Sequence, residues 1–191
     1  MTSAIARPWS REEFLEWDAL QHERFEFVDG RVRSMVGETL APNRIVKNTA
    51  FALHRHLTGT PCEVFIENVK VLAAADSFYP DLVVACGEQD DQSSLVNRPV
   101  AIFEVSSRLT RTYDRGRKWH SYQAIASLEH YVLISQFEPQ VEVLTRDRAA
   151  WTSAVFRSFD AAAPLARLDL ALPLSEVYAG VGFRASPAAG A

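Results

Sequence analysis

Apolar and polar positions along the chain switch between two periods, and the switches mark the elements. Ser10 followed by Glu13 has the form of a capping box and predicts a helix to about residue 20, with Phe14, Leu15 and Trp17 partly buried. Residues 24–35 alternate around Asp29-Gly30, the pair that a type I′ turn demands, and predict a β-hairpin. Phe25 and Phe27 share one face of its first arm, and Arg24, Glu26 and Val28 share the other. Ile45, Thr49, Leu53 and Leu57 recur every four residues, so residues 42–57 read as the first core helix, stopped near Gly59. Residues 64–72 read as one strand. Two short apolar runs follow, each carrying one acid: Tyr79-Pro80-Asp81 leads into residues 82–85, and residues 100–107 contain Glu104. The polar stretch between them reads as a loop.

Downstream, residues 113–126 predict a second core helix, on which Asp114, Lys118 and Tyr122 fall four apart on one face. Trp119, Tyr122 and Ile125 read as core positions rather than a platform for stacked bases. Residues 131–135 and 141–146 predict strands turned at Glu138-Pro139, and residues 151–159 a further one. Residues 165–177 read as a short strand or extended segment, ending in a helical turn around residues 175–178. Residues 185–191 are small residues and one proline, the composition of a disordered tail, so a single domain is expected over residues 1–184.

The charge pattern adds chemistry to this outline. If the two acid-bearing strands pair as an antiparallel hairpin, the start of the first lies beside the end of the second. Asp81 and Glu104 then come side by side. Two buried like charges need compensation, and a divalent cation such as Mg²⁺ or Mn²⁺, which prefers oxygen ligands, supplies it. A lysine nearby would suit hydrolysis of a phosphodiester. The bland alternative is that Asp81 starts a strand and Glu104 pairs with an arginine. The formal net charge of -4 argues against a generally basic nucleic-acid binder. Arg108, Arg111, Arg115, Arg117 and Lys118 nevertheless form a local basic run beside the acids, or else a solvated face.

Other residue types point away from chemistry. The two cysteines, Cys62 and Cys86, indicate neither a disulfide framework nor a zinc site and read as small buried thiols. His54 and His56, two apart near a helix end, do not face one another and suit the helix dipole better than a metal. No window has the roughly 18 apolar residues of a membrane span and the start lacks a signal-peptide shape, so a cytoplasmic protein is expected.

An ordered set of motifs carries a family resemblance over roughly residues 10–147: Glu23-Arg24-Phe25-Glu26-Phe27-Val28-Asp29-Gly30, Asn43-Arg44-Ile45-Val46-Lys47-Asn48, Asn68-Val69-Lys70-Val71, Tyr79-Pro80-Asp81, Phe103-Glu104-Val105, Tyr113-Asp114-Arg115-Gly116-Arg117-Lys118 and Ser127-Leu128-Glu129-His130-Tyr131-Val132. The set resembles the Uma-two family of bacterial endonucleases, within the PD-(D/E)XK nuclease superfamily. The resemblance implies an α+β fold with the restriction-endonuclease-like core αβββαβ, here preceded by a helix and a β-hairpin. It implies metal ligation by Asp81 and Glu104 and places Glu26 near the site. The superfamily puts a lysine two positions after the glutamate, where this chain has Ser106. The lysine is therefore expected from another element, Lys118 first and Lys70 second. Arg111 and Arg115 would contact nucleic acid, DNA or RNA, and paired edge strands would allow a homodimer. Two other readings stand beside this one. A non-catalytic binding or assembly domain could keep the fold, and a hydrolase of small phosphoesters would need an enclosed pocket.

Overall fold

The computed structural model describes residues 9–21, 23–34, 40–106, 111–148 and 150–183; Arg108 and the expected tail at 185–191 lie outside them. Ser10 caps helix α1 (Arg11–Asp18): its hydroxyl accepts from the Glu13 amide while the Glu13 carboxylate accepts from the Ser10 amide. Strands β1 (Phe25–Val28) and β2 (Arg31–Ser34) form the hairpin, and Asp29 and Gly30 both take the positive φ that its turn requires. Helix α2 (Leu40–Leu57) buries Ile45, Thr49, Leu53 and Leu57 along one stripe.

The expected strand over 64–72 is two strands in two different sheets. Strand β3 (Cys62–Ile66) ends where Glu67 and Asn68 adopt left-handed φ values of 44° and 51°. The chain then turns into β4 (Val71–Ala73) and β5 (Asp76–Phe78), which join the hairpin in a sheet of order β2-β1-β5-β4. Two consecutive left-handed residues cannot continue a pleated strand, and an asparagine is among the few side chains that tolerate that conformation.

The main sheet has six strands in the order β10-β9-β8-β7-β6-β3. Strands β6 (Leu82–Cys86) and β7 (Pro99–Ser106) are its centre and are antiparallel. Strand β8 (His130–Ser135) runs parallel to β7, and β9 (Gln140–Asp147) and β10 (Ala150–Arg157) complete it. The parallel β7–β8 pair needs a crossover. The helical segment between them supplies it: α3 (Arg111–Tyr113), a π-helical turn over Asp114–Lys118, and α4 (Trp119–Tyr122). The last elements are β11 (Ala162–Leu165), which the sequence reading missed, β12 (Leu170–Pro173) and α5 (Leu174–Val177).

Side chains of the main sheet alternate between two cores. Leu82, Val84, Phe103, Val105, Val132 and Ile134 pack with α2, β12 and α5. Val83, Ala85, Ile102, Tyr131 and Leu133 pack on the other face with Phe78 and Tyr122. Covering both faces explains why β6 and β7 read as continuous apolar runs. Glu104 is two residues from Ile102, so it points into the second layer, between the main sheet and the small one. Trp119 stacks on Tyr131, as expected of a core aromatic.

One further expectation is corrected. Cys62 and Cys86 are direct partners in the β3–β6 register and are joined by a disulfide. Their separation of 24 residues gives no hint of the pairing; antiparallel register alone brings the two side chains to one side of the sheet.

Candidate active site

Antiparallel register positions the two acids. Leu82 opposes Phe103, so Asp81, one residue before β6, comes opposite Glu104. Asp81 Oδ2 accepts a hydrogen bond of 2.6 Å from the Val105 amide, which fixes the aspartate against the β7 backbone. Pro80, with no N–H to donate, suits the start of the strand. Glu104 is 4% exposed and sends its carboxylate into the layer beneath the small sheet.

Lys118 reaches it. The Lys118 Nζ lies 3.1 and 3.2 Å from the two Glu104 oxygens and 2.8 Å from Glu26 Oε1. Tyr122 donates to Glu104 Oε1 at 3.2 Å, and Tyr113 donates to Glu26 Oε2 at 3.3 Å. Ser106, in the position where the superfamily has lysine, donates to Asp114 Oδ2 at 3.0 Å. Three elements thus converge: β1 carries Glu26, the β6–β7 pair carries Asp81 and Glu104, and the crossover helix carries Asp114, Lys118 and Tyr122. Lys70 is elsewhere. Its Nζ lies 2.6 Å from Asp18 Oδ2, which also accepts from Tyr79 at 2.9 Å.

The charges do not balance. Glu26, Asp81, Glu104 and Asp114 surround one ammonium. Burial pushes the Glu104 carboxyl well above its usual pKa; Lys118 opposes this, while Asp81, Asp114 and Glu26 reinforce it. For Lys118, burial disfavours the ammonium, but Glu104, Glu26 and Asp114 together outweigh it and hold the amine protonated, well above its ordinary range. Tyr122 is pushed up by burial and by Glu104, so it remains a hydrogen-bond donor.

Among the described residues, no three His, Cys, Asp or Glu side chains converge so as to hold a metal by themselves. The donor set nevertheless fits a hard divalent cation. Mg²⁺ is commonly bound by one or two carboxylates, with water and phosphate oxygens filling the remaining positions. Asp81 and Glu104 supply two carboxylates, and the excess of acid over ammonium is the imbalance such an ion corrects.

The basic run beside the acids is largely committed to internal partners. Arg115 forms an ion pair with Glu142. Arg117 pairs with Asp76 at 2.8 Å and Asp29 at 2.6 Å, and Ser121 donates to the same buried Asp76 at 2.5 Å. The Arg111 side chain lies outside the described residues. Sequence reasoning missed Tyr113, whose half-buried hydroxyl meets Glu26, and the pairing of Arg117 with two acids far away in the chain. An aromatic one turn before a candidate lysine was the available signal for the first; the second left none.

Known proteins agree with this architecture. A crystal structure of "a putative nuclease belonging to DUF820" from Anabaena variabilis superposes with a TM-score of 0.71 over 90% of this chain and 98% of that one, at 16% identity, a likeness of fold. Two uncharacterised proteins of Synechocystis sp. are 28% identical over 178 residues and 29% identical over 147. The first alignment covers 91% of this chain and 93% of its relative, the second 74% and 83%. Residues 11–175 match the family described as "Uma2: Putative restriction endonuclease", and the chain belongs to that family.

Proposed function

We propose that this protein is a metal-dependent nuclease that hydrolyses phosphodiester bonds of nucleic acid at the Asp81–Glu104–Lys118 cluster. The observation that carries the reading is the acid excess around a single buried ammonium, at the end of two antiparallel strands in a nuclease-like fold. Asp81 and Glu104 would hold Mg²⁺ or Mn²⁺. When bound, such an ion polarises phosphate and lowers the pKa of a bound water.

The chain's own groups have separable roles. Lys118, held protonated, donates hydrogen bonds and positive charge rather than accepting a proton. It would orient a water or stabilise charge developing on phosphate oxygen. Glu26 and Tyr113 fix the ammonium and its carboxylate partner from the hairpin side. Tyr122 holds Glu104 in one rotamer through Oε1. Asp81 is fixed through the Val105 amide, so both carboxylates are oriented before any ion arrives.

A second reading, a non-catalytic domain with the same fold, draws support from one observation. Lys118 already contacts both oxygens of Glu104 and one of Glu26, with its side chain 6% exposed. Titration calorimetry with Mn²⁺, together with cleavage assays on DNA and RNA, separates the two. A nuclease binds the ion and loses cleavage when EDTA removes it. Absence of both ion binding and cleavage would leave the non-catalytic reading.

A further inference from the structure

A cluster with more carboxylates than ammonium groups repels a polyanion. A nucleic acid would reach it only if positive charge at the entrance outweighed that repulsion. The nearby cations are poorly placed for this. Lys118 is buried against Glu26 and Glu104, Arg117 is held by Asp29 and Asp76, and Arg115 is held by Glu142.

Arg33 differs. It is the direct cross-strand partner of Glu26 in the hairpin. An opposed Arg and Glu would ordinarily pair with each other. Here Glu26 turns inward to Lys118 and Tyr113, and among the described residues no carboxylate lies within ion-pair distance of Arg33. The exposed Arg33 guanidinium instead stands 4.9 Å from the centre of the Tyr113 ring. Tyr113 is itself tied to Glu26, so Arg33 is one aromatic ring removed from the acid cluster. Contact with a ring face fixes the direction of a guanidinium while leaving N–H donors at its edge for a planar anion.

We infer that Arg33 contacts a backbone phosphate of nucleic acid and presents the strand to the acid cluster, with Tyr113 as its support. This rests on the nuclease reading. Arg33 is a binding and positioning residue, not one that touches the reacting atoms. The chemistry recognised is the phosphodiester backbone shared by DNA and RNA.

The test is fluorescence anisotropy of a fluorescein-labelled DNA duplex, and of an RNA of the same sequence, with wild-type protein in Ca²⁺ over a range of salt. Arg33→Gln should make the slope of log affinity against log salt shallower by roughly 0.7–0.9, the value of one lost phosphate contact. Arg33→Lys should keep the slope and recover part of the affinity, because it retains charge without the bidentate edge. Arg98→Gln, the same charge change next to the opposite end of β7 from Glu104, should leave the slope as in wild type. Binding with an unchanged slope in Arg33→Gln overturns this inference and leaves the nuclease reading standing. An equal change in Arg98→Gln also overturns it, since net charge would then suffice. If wild type binds neither nucleic acid, both fall. The arm with the steeper wild-type slope identifies the preferred backbone.

Discussion

Two buried lysines make the most instructive comparison in this molecule. Lys70 and Lys118 are almost equally buried, at 5% exposure each, and each meets a carboxylate that also accepts from a tyrosine. At Lys70 the charges cancel: one ammonium faces Asp18, and Tyr79 supplies a further donor. Burial together with Asp18 raises the pKa of the Tyr79 phenol, keeping it a donor. The result joins α1 to the chain just before Asp81. At Lys118 the same ingredients are present with Glu26 and Glu104 in direct contact and Asp81 and Asp114 beyond. A balanced cluster is complete as it stands, whereas an unbalanced one gains by taking up a cation. Burial and hydrogen bonding do not separate the two; the local sum of charge does.

The largest expected effect breaks the unbalanced side. Asp81→Asn and Glu104→Gln should each lower Mg²⁺- or Mn²⁺-dependent cleavage by at least about a hundredfold and abolish the rise in melting temperature that the ion causes. Cleavage near the wild-type rate in either variant would remove these residues from the site. Next come the lysines themselves. Lys70→Met strands the Asp18 carboxylate, 1% exposed, and should cost about 3–5 kcal/mol. No metal should restore that loss. Lys118→Met should also destabilise the metal-free protein, but Mn²⁺ should return much of the lost stability by replacing the missing positive charge. Equal responses to Mn²⁺ in the two variants, read by urea melts, would erase the distinction between the clusters.

A third buried ionisable group extends the rule. His130 is 1% exposed and meets no acid; its Nε2 accepts from the Arg167 amide at 3.1 Å, and Nδ1 lies 3.2 Å from Thr145 Oγ1. Burial, aided by Arg167, lowers its pKa from 6.5 to about 4. Between those values the unfolded chain binds the proton and the folded one does not, so stability is present above about 6.5 and is lost as pH falls toward 4. His130→Gln should flatten the stability profile across that window, as followed by denaturant melts at stepped pH. A profile as steep as wild type would assign the acid sensitivity to other groups. The smallest effect concerns the crossover helix. An added Cβ on Gly116 meets nothing within 4 Å and its φ is not in the left-handed region, so Gly116→Ala should stabilise by about 0.5–1 kcal/mol. A lower melting temperature in that variant would mean that the π turn needs glycine after all.

Much of the frame was legible because it depends on neighbours in sequence. The Ser10–Glu13 cap, the Asp29-Gly30 turn and the four-residue spacing along α2 are local signals, and each appears where expected. The approach of Asp81 to Glu104 needed only one antiparallel pairing. The break at Glu67-Asn68 was hidden because apolar residues flank it on both sides and continue the run. The choice between Lys118 and Lys70 depended on which acids β1 and α1 bring inward, and that is a property of the assembled layers. So was the commitment of Arg115 and Arg117 to Glu142, Asp29 and Asp76. A row of arginines in sequence says nothing about how many of its charges remain after folding.

The π-helical turn has a consequence for tolerance to length changes. It places Asp114, Arg115, Arg117 and Lys118 against partners on four strands and one hairpin turn, within five residues. A π turn holds about one residue more than an α turn, so it acts as a phase slip between the helical stretches on either side. Deleting the exposed Gly116 would let the segment relax to a plain α-helix and rotate everything after it by roughly 100° relative to what comes before. Arg117 and Lys118 could then no longer face the hairpin and Glu104 while Asp114 kept Ser106. At this position the chain should accept a change of side chain easily and a change of length hardly at all, so insertions and deletions here carry more information than substitutions.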